Sequence, residues 1–484
     1  MTSSNGLQSS SDTSESAWLI KRQHEDRFVR LCGSFGYEYH DLPLLAPTDV
    51  FLRKSGGELA SQILSLIDAN SNLISLRPEF TALIVSEYLK IHSETTNIQR
   101  IQYSGPVFRQ TPGDPLNEQY FTQVGAELIG VGTPLADAEL LYLATQIPDQ
   151  LGVSDYTVRI TDLRVLNSLL DSKQLSDRAR NFIVSSVPIL QSHSTSVEQL
   201  LSQAQDAHII GQNAPNDHLN IAISGLQDEQ AKEVLHGSLE WSEGLAPNLG
   251  QRAADDVVER LLRKLRGNDE RDSLQEALFD IEKLVNIQGN PADILDAAET
   301  LLENCPESRT ALQSIRTVLT LATDDTKVSS KITVDFGLIK GIAYYNGIVF
   351  DVTDASGNTI LGGGGRYDNL STDLGSERQI PSAGFAFNLE ALIDSVDLRS
   401  ESTENLVSQW ADSTLIVTED STQDILALRL SRQYREEGHR VEIACQYQSV
   451  AEALSRADLK IWNNILFISA SGEWELHETN KPST

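Results

Sequence analysis

Two runs of sequence decide the fold, IQYSGPVFRQ at residues 101–110 and EQYFTQVGAELIG at residues 118–130. Both have the residue usage of β-strands, and a short polar loop at residues 111–117 separates them. Strand-like runs on either side of such a loop are typical of a β-hairpin. The sequence therefore predicts a long antiparallel hairpin.

Three polar side chains of this hairpin are candidates for ligand binding. Arg109 lies near the end of the first strand, while Gln123 and Glu127 are four residues apart on the second strand and so share a face. Together they can bind one small ligand, with Arg109 on a carboxylate or phosphate and Glu127 on an amine. An internal Arg–Glu pair that fastens the hairpin explains the same residues equally well, and the pattern leaves both interpretations open.

The composition narrows the class of protein. The chain has 484 residues, with 38 Lys and Arg against 69 Asp and Glu, and a formal net charge of −31. At roughly 100–200 residues per domain, this length predicts about two to four domains, each able to bury its own core. A surface this acidic repels phosphate backbones, so binding to DNA or RNA, including tRNA, is disfavoured.

No segment predicts a membrane protein, a metal site or a bound cofactor. The apolar runs are strand-sized, as at residues 465–468, and the Ser- and Thr-rich residues 1–17 resemble a disordered tail more than a signal peptide. Cys32, Cys305 and Cys445 form no CxxC pair, and the nine histidines have no ligand spacing. We expect a cytoplasmic protein with three buried thiols, no membrane association, no metal and no cofactor.

The hydrophobic pattern divides the chain into four parts. Residues 18–147 mix helix and strand patterns, and residues 152–326 are predominantly helical, with an apolar stripe at Leu274, Leu278, Ile281 and Val285. Alternating strands return from residue 332. After a polar linker near residues 400–408, strands and helices alternate in the order of a small α/β domain with a parallel sheet.

Two further motifs are open to two interpretations each. The run LGGGGRYD at residues 361–368 has neither a dinucleotide-binding nor a P-loop spacing, so its glycines either form the floor of a ligand pocket or allow close packing of a neighbouring backbone. Tyr344 and Tyr345 are adjacent on a predicted strand, which directs one ring to the core and the other to a pocket.

In chain order, several segments together resemble the histidyl-tRNA synthetase family. The segments are LRPEFT (76–81), GPVFR (105–109), FTQVGAE (121–127), DAE (137–139), GIAYY (341–345), GGGRYD (363–368) and PSAGFAFNLE (381–390). The resemblance spans about residues 18–396. It implies an α+β fold, namely the class II aminoacyl-tRNA synthetase-like antiparallel sheet flanked by helices, normally in a dimer.

With this resemblance, each part of the chain has a predicted identity. Residues 1–17 are the polar tail, residues 18–150 and 329–400 are the two parts of the class II core, and residues 151–328 are a mainly helical insertion. Residues 401–484 form a small α/β domain where that family has its anticodon-binding domain. Its acidic residues outnumber its basic ones, which is unfavourable for tRNA.

The resemblance also implies a site and its departures from active synthetases. The histidine-binding-like pocket is expected at Glu79, Thr81, Arg109, Gln123, Glu127, Lys340, Tyr344 and Tyr345. Active members have arginine where this chain has Lys340 and Ala391, an acidic residue where it has Ala343, and ATP-binding charges in the loop that here has Thr111, Asn117 and Gln119. Because a triphosphate needs several fixed positive charges, adenylation should be severely impaired and no catalytic residue is expected.

A kept amino-acid pocket without a nucleotide site resembles a branch of that family, the regulatory subunits of ATP phosphoribosyltransferase. This branch implies a non-catalytic role in the first step of histidine biosynthesis, with a short-form catalytic subunit as partner, histidine as effector, and a homodimer within a hetero-oligomer. The alternatives are a divergent histidyl-tRNA synthetase, in which Lys340, Arg109 and Arg366 would bind ATP, and a synthetase-like sensor outside histidine biosynthesis.

Overall fold

A computed structural model describes most of the chain. The described residues are 11–53, 56–92, 97–110, 120–173, 175–207, 209–210, 230, 232–234, 271–323, 330–339, 344–396, 412–446, 449, 451–452 and 462–478. They belong to two compact units. One comprises Met1–Leu163, Asn290–Leu295 and Thr310–Thr484, and the other comprises Arg164–Gly289 and Asp296–Arg309.

The first unit is built on an eight-stranded mixed sheet. Its strands are β1 (Glu38–Tyr39), β5 (Gln99–Phe108), β6 (Tyr120–Ile129), β7 (Tyr156–Asp162), β8 (Ile332–Val334), β9 (Ile348–Asp354), β10 (Ile360–Arg366) and β11 (Ser382–Asn388). They lie in the order β1-β5-β6-β11-β10-β9-β7-β8. The outer pairs β1/β5 and β7/β8 are parallel and the inner pairs are antiparallel, so the sheet is mixed where the sequence predicted an antiparallel one.

The predicted hairpin is confirmed as strands β5 and β6, which lie between β1 and β11 in this sheet. Strand β6 is buried along nearly its whole length, because β5 and β11 pair with its two edges and helices cover the sheet. The register sets Glu127 of β6 opposite Gly384 of β11 and opposite Ile101 of β5. This register places the polar residues of the hairpin beside the glycine-rich strands.

Helices and a small sheet surround the large sheet. The helices are α1 (Ser11–Ser34), α2 (Thr48–Leu52), α3 (Gly56–Ser61), α4 (Thr81–Ile91) and α5 (Pro134–Leu151), and the antiparallel sheet contains β2 (Leu45–Pro47), β3 (Ser65–Ile67) and β4 (Leu73–Leu76). Helix α5 has a Thr133 side-chain cap, a proline in its first turn and Gly152 in the left-handed region after its last turn. These are sequence signals for a helix start and stop.

The helices in and around the second unit follow the predicted apolar spacing. They are α6 (Leu163–Ser172), α7 (Asp177–Gln191), α8 (Val197–Asp206), α9 (Arg271–Val285), α10 (Pro291–Leu301) and α11 (Pro306–Ala322). The predicted stripe of α9, Leu274, Leu278, Ile281 and Val285, is fully buried. Lys173 pairs with Glu276 and Asp280 of α9 within this unit.

The C-terminal part of the first unit has its own four-stranded sheet. After α12 (Leu370–Asp373) and α13 (Leu389–Asp394) come β12 (Ser413–Thr418), α14 (Asp424–Glu436), β13 (Arg440–Ile443), β14 (Asn464–Ile468) and β15 (Trp474–Glu478). Strands β13, β12 and β14 are parallel, as predicted, while β15 adds an antiparallel edge that the sequence did not predict.

A buried arginine joins this C-terminal sheet to the core. Arg100 of β5 donates to Glu139 of α5, with 3.1 Å between Nε and Oε1, and to Glu442 of β13, with 2.8 Å between Nη1 and Oε1. It also donates to the Ile443 carbonyl at 2.6 Å. Because all three acceptors are held by one guanidinium, the C-terminal sheet has a fixed position on the core.

Two sequence-based expectations need correction, and one lies outside the described residues. Helix α1 begins at Ser11, so residues 11–17 of the predicted disordered tail are helical; acidic residues in a first turn favour a helix start there. The segment predicted as mainly helical also contains β7, which pairs with β8 and β9 of the core. The predicted linker at residues 400–408 is not among the described residues, and the predicted domain limits stay predictions.

Candidate functional site

A cavity of about 360 Å³ opens on one face of the large sheet. Strands β6, β10 and β11 form its floor, α4 closes one end, and Tyr344 and Tyr345 cover one side. Of the predicted pocket residues, the structure brings seven to this cavity: Glu79, Thr81, Arg109, Gln123, Glu127, Tyr344 and Tyr345. The eighth, Lys340, lies outside the described residues, as do Ala343, Thr111, Asn117 and Gln119.

Glu127 is the innermost ionisable group of the cavity. Its carboxylate accepts hydrogen bonds from three hydroxyls, Thr81 at 2.7 Å, Tyr103 at 3.1 Å, and Tyr367, the shortest of the three. Burial raises its pKa to about 7, against the effect of these hydroxyl donors, and the nearby Glu79 carboxylate raises it further. Glu127 therefore exchanges a proton near neutral pH and can pair with a cationic group of a ligand.

The space for this carboxylate depends on a glycine. Gly384 faces Glu127 in the sheet register, and a Cβ atom there would lie 1.6 Å from Glu127 Oε2 and 2.7 Å from the Ala126 carbonyl oxygen. Real side chains do not tolerate such distances, so an alanine would displace the carboxylate or the strand. The sequence requires glycine here because the acid occupies the volume of the missing side chain.

Glu79 and Arg109 mark the other polar end of the cavity. Glu79 accepts from the Ala82 backbone N–H at 3.0 Å, and burial raises its pKa while that N–H and the Arg109 guanidinium oppose the rise. Arg109 donates from Nε to the Pro78 carbonyl at 3.0 Å, and its guanidinium lies 5.1 Å from the centre of the Phe121 ring. The internal Arg109–Glu127 pair considered from the sequence stays a hypothesis.

Gln123 adds an unsatisfied acceptor to this surface. Its Oε1 atom is buried and has no hydrogen-bond partner among the described residues. Buried polar atoms are nearly always hydrogen-bonded, so an unpaired one that lines a cavity points to a ligand donor. The cavity thus presents two carboxylates and an amide oxygen for N–H donors, and one guanidinium for an anion.

Three tyrosine rings pack around the cavity. Tyr344 lies edge-on to Tyr367 with 5.5 Å between ring centres, and Tyr345 lies 4.9 Å from Tyr344. Tyr344 is buried and Tyr345 is half-buried, although both line the cavity. Burial and the neighbouring acids keep the pKa of both phenols high, so they act as neutral hydrogen-bonding walls.

The glycine run has two structural roles at different residues. Gly362 and Gly363 line the floor of the cavity, and whether they face a ligand stays a prediction. Gly364 allows close packing, since a Cβ there would lie 2.2 Å from the Gly384 carbonyl oxygen. The cavity floor and a close backbone approach are therefore built from the same strand.

The residues that follow the cavity along β10 form a separate charged cluster. Arg366 is 8% exposed and contacts Asp137, with 2.6 Å between Nη2 and Oδ1, and Asp368, with 3.0 Å between Nη1 and Oδ1. It also donates to the Val131 carbonyl. These two carboxylates raise the pKa of Arg366 against the effect of burial. The arginine is thus fully engaged in pairs within the protein.

Ala391 lies in the first turn of α13, where its backbone and not its side chain makes the local contact. The Ala391 N–H donates to the Asn388 side chain at 3.1 Å, which caps this helix. The preceding Glu390 accepts from the Thr122 N–H at 2.8 Å and pairs with Lys21 at 2.8 Å. Alanine offers no positive charge at this position.

Sequence reasoning did not select Tyr103, Tyr367 and Phe121 as members of the site. Tyr367 was within the quoted run GGGRYD, and Tyr103 lies one strand away from Glu127 in the predicted hairpin. The long-range contacts that bring the Tyr103 and Tyr367 hydroxyls to Glu127 are not visible in the sequence. Among the described residues, no cluster of His, Cys, Asp and Glu could hold a metal ion, and no helix has the length and apolarity to span a bilayer.

The amino-acid sequence is similar to those of known proteins. A family model described as histidyl-tRNA synthetase matches residues 10–212 and 233–392. A histidine–tRNA ligase of Methanocaldococcus jannaschii is 24% identical over 466 residues, which cover 95% of this chain and 89% of that protein. A protein of Oceanobacillus iheyensis named ATP phosphoribosyltransferase regulatory subunit is 24% identical over 425 residues, covering 88% of this chain and 83% of that protein.

A solved structure has the same fold. The crystal structure of a Bacillus halodurans C protein, described as an ATP phosphoribosyltransferase regulatory subunit/histidyl-tRNA synthetase, aligns with a TM-score of 0.51 and 18% identity. The alignment covers 94% of this chain and 95% of that one. The expected class II synthetase-like architecture is confirmed by this likeness.

Proposed function

This chain belongs to the histidyl-tRNA synthetase family, and we propose that within the family it is a non-catalytic regulatory subunit of ATP phosphoribosyltransferase. In this role it binds histidine in the Glu127 cavity, is required by a short-form catalytic subunit, and transmits feedback inhibition by histidine. The proposal includes a homodimer within a hetero-oligomer in the cytoplasm, with no role for tRNA.

The chemistry of the cavity supports histidine as the ligand. Histidine has an ammonium group, an imidazole N–H and a carboxylate. The cavity offers two buried carboxylates, Glu79 and Glu127, for the nitrogen groups and Arg109 for the carboxylate. The unpaired Gln123 oxygen provides one more acceptor. Phenol rings at Tyr344 and Tyr345 can contact a flat imidazole.

The observation on which the proposal chiefly depends is that Arg366, the buried arginine beside the cavity, offers a triphosphate no uncompensated charge. Arg366 is held by Asp137 and Asp368, so its charge is already compensated. Ala391 and the neutral loop residues supply none, and Lys340 lacks the planar guanidinium of an arginine. An amino-acid cavity without triphosphate ligands suits a sensor better than a ligase. The relative named as a regulatory subunit supports the same role.

The direct test measures phosphoribosyl-ATP formation by a short-form catalytic subunit from the same source. We expect strong activation when this chain is added, and loss of that activation when histidine is added. The matched control adds the Arg109→Ala variant, for which activation should remain while inhibition requires more histidine. No activation at any ratio of the two chains would contradict the proposal.

A second candidate is a divergent histidyl-tRNA synthetase, because the Methanocaldococcus jannaschii relative, which covers 95% of this chain, is named histidine–tRNA ligase. Each missing transition-state contact costs roughly 100- to 1000-fold in rate. We therefore expect histidine-dependent ATP–pyrophosphate exchange to be at least roughly 1000-fold below that of an active synthetase assayed beside it. Exchange within tenfold of the active enzyme would establish the second candidate instead.

A further inference from the structure

A second cavity, of about 400 Å³, lies where α1, α5 and α14 meet, and it shares no lining residue with the Glu127 cavity. Four arginines line it: Arg27, Arg30, Arg432 and Arg435. Such a cluster is unexpected in a chain with a net charge of −31. We call it the arginine pocket.

Helical spacing directs these residues to one place. Arg27, Arg30 and Ser34 follow each other at offsets of three and four on α1, and Tyr142, Gln146 and Gln150 do so at offsets of four on α5. On α14, Arg432 and Arg435 are three residues apart. Three helix faces therefore supply cations, amides and aromatic rings to a single cavity.

Two of the arginines are held rigidly. The Arg435 guanidinium lies 3.6 Å from the centre of the Phe35 ring and donates to the carbonyls of Ser34 and Val441. The Arg432 guanidinium lies 4.2 Å from the centre of the Tyr142 ring and donates to the Ala322 carbonyl. These contacts orient the planar groups and neutralise neither charge.

The positive charge of the pocket is poorly compensated. Glu436 is the single acidic residue in the lining, and it is exposed. Arg27 and Arg30 have no ion pair among the described residues. Arg30 Nη2 and Arg432 Nε are buried without a hydrogen-bond partner among those residues. Burial lowers the pKa of Arg435 to about 10. The nearby Glu139 carboxylate opposes this decrease, while the neighbouring Arg100 and Arg432 add to it.

Unpaired buried guanidinium groups are costly unless an anion pairs with them. Four arginines around a cavity of this size, two of them with a buried nitrogen that has no partner among the described residues, match a compact ligand with several negative charges. Planar guanidinium groups suit phosphate oxygens in particular. We propose that the arginine pocket binds a small polyanion with two or more phosphate groups. A nucleic-acid strand fits less well, because the acidic surface outside the pocket repels an extended phosphate backbone.

The pocket also connects two parts of the first unit. Helices α1 and α5 belong to the synthetase-like core, while α14 belongs to the C-terminal α/β part. A bound polyphosphate would neutralise arginines from both. The C-terminal part would then complete a ligand site. This inference does not depend on the proposed function of the Glu127 cavity.

The test uses the full chain with inorganic tripolyphosphate as the probe, measured by calorimetry at fixed ionic strength. Arg27→Gln and Arg30→Gln are chosen because neither side chain holds another part of the fold. We expect each to weaken tripolyphosphate binding by roughly tenfold or more. The control is Arg22→Gln on the same helix, whose 59% exposed side chain pairs with Glu25 and Asp26, and its affinity should equal that of the unchanged chain.

Thermal unfolding gives a second readout that a purely structural arginine would not produce. Without ligand, Arg30→Gln should melt at the same or a higher temperature than the unchanged chain, since it removes a partly buried cation whose Nη2 atom has no partner among the described residues. With tripolyphosphate, its stabilisation should be smaller, because a ligand stabilises a protein only as far as it binds the native state. A lower melting temperature without ligand, and equal stabilisation with it, would overturn the proposal.

Two binding results would also overturn it. Equal affinity in the unchanged chain and in both pocket variants would place any polyphosphate site elsewhere, for instance in the core. A twelve-nucleotide single-stranded RNA that binds more tightly than tripolyphosphate at the same ionic strength, with the same dependence on Arg30, would assign the pocket to nucleic acid.

Discussion

Glu127 and Arg366 are both buried charged side chains of the large sheet, on β6 and β10 with β11 between them, yet their surroundings are opposite. Glu127 is 1% exposed, and its hydrogen-bond donors are three neutral hydroxyls. Arg366 is 8% exposed and contacts two carboxylates. The charge of the acid thus remains available to a ligand, whereas that of the arginine is used up inside the protein.

In our proposal, this difference allows the fold to retain a site for an amino acid without a site for a triphosphate. A buried carboxylate held only by hydroxyls takes up a proton near neutral pH unless a cation enters the cavity, so this end of the cavity suits a cationic ligand. An arginine neutralised by two aspartates stabilises the fold and offers little to a triphosphate. Family resemblance alone does not distinguish these roles, because the same residue types occur at both places.

The largest expected effect is on stability, and it contrasts the two residues directly. Arg366→Ala leaves the partly buried Asp137 and Asp368 without their cation, so we expect a loss of about 3 kcal/mol in the free energy of unfolding, the lower end of the range for buried pairs. Glu127→Gln removes an acid that burial already disfavours at neutral pH, and should change that free energy by about 1 kcal/mol or less. Urea unfolding at pH 7.5 measures both.

A surface arginine serves as the control for this comparison. Arg53 pairs with Asp49 one turn away on the surface, and Arg53→Ala should change the free energy of unfolding by less than about 0.5 kcal/mol. If Arg366→Ala proved as mild as Arg53→Ala, the buried cluster would not be a structural one, and its arginine would again be available for ATP.

The next effect is on histidine affinity. Glu127→Ala removes the partner of a nitrogen group and Arg109→Ala removes the partner of the carboxylate, so each should weaken binding by roughly 10- to 100-fold without unfolding the chain. Calorimetry with histidine measures the affinity, and circular dichroism checks the fold. Arg53→Ala should bind as the unchanged chain does. Unchanged affinity in both cavity variants would place the effector outside this cavity.

The smallest effect is the pH dependence of that affinity. The pKa of Glu127 is raised to about 7, so its ionised fraction rises roughly tenfold between pH 6 and pH 8. A ligand cation needs the ionised form, and histidine should therefore bind up to roughly tenfold more tightly at pH 8, with release of a proton near pH 7. Calorimetry in buffers of different ionisation enthalpy detects that proton.

Glu127→Gln separates this effect from the titration of histidine itself. The imidazole of free histidine also loses its proton in this pH range, but the variant keeps that contribution and removes the acid. The pH dependence should be clearly smaller in the variant. An equal pH profile of histidine affinity in the unchanged chain and in Glu127→Gln would show that Glu127 does not pair with the ligand.

The raised pKa of Glu127 also affects stability. Between about pH 4.5 and 7 the folded state binds a proton that the unfolded state has lost, so the contribution of Glu127 to the free energy of unfolding falls as pH rises through this range.

Local sequence patterns determined the elements of this protein. The hairpin of β5 and β6, the amphipathic stripe of α9 and the α/β order of the C-terminal part all follow from spacing that neighbouring residues impose. The ordered motifs also indicated the family and seven side chains that meet in the cavity. Short patterns suffice here because helix and strand periodicity fix which side chains share a face.

Tertiary structure decided what those residues do. Asp137 neutralises Arg366, Gly384 makes room for Glu127, and Arg100 pairs with Glu442. The two residues of each contact are more than 200 positions apart in the sequence. Contacts between distant segments also produce three further features that the sequence did not predict. These are the two parallel strand pairs, the edge strand β15, and the convergence of α1, α5 and α14 on the arginine pocket. Long-range pairing depends on the packing of whole elements, and no local period encodes it.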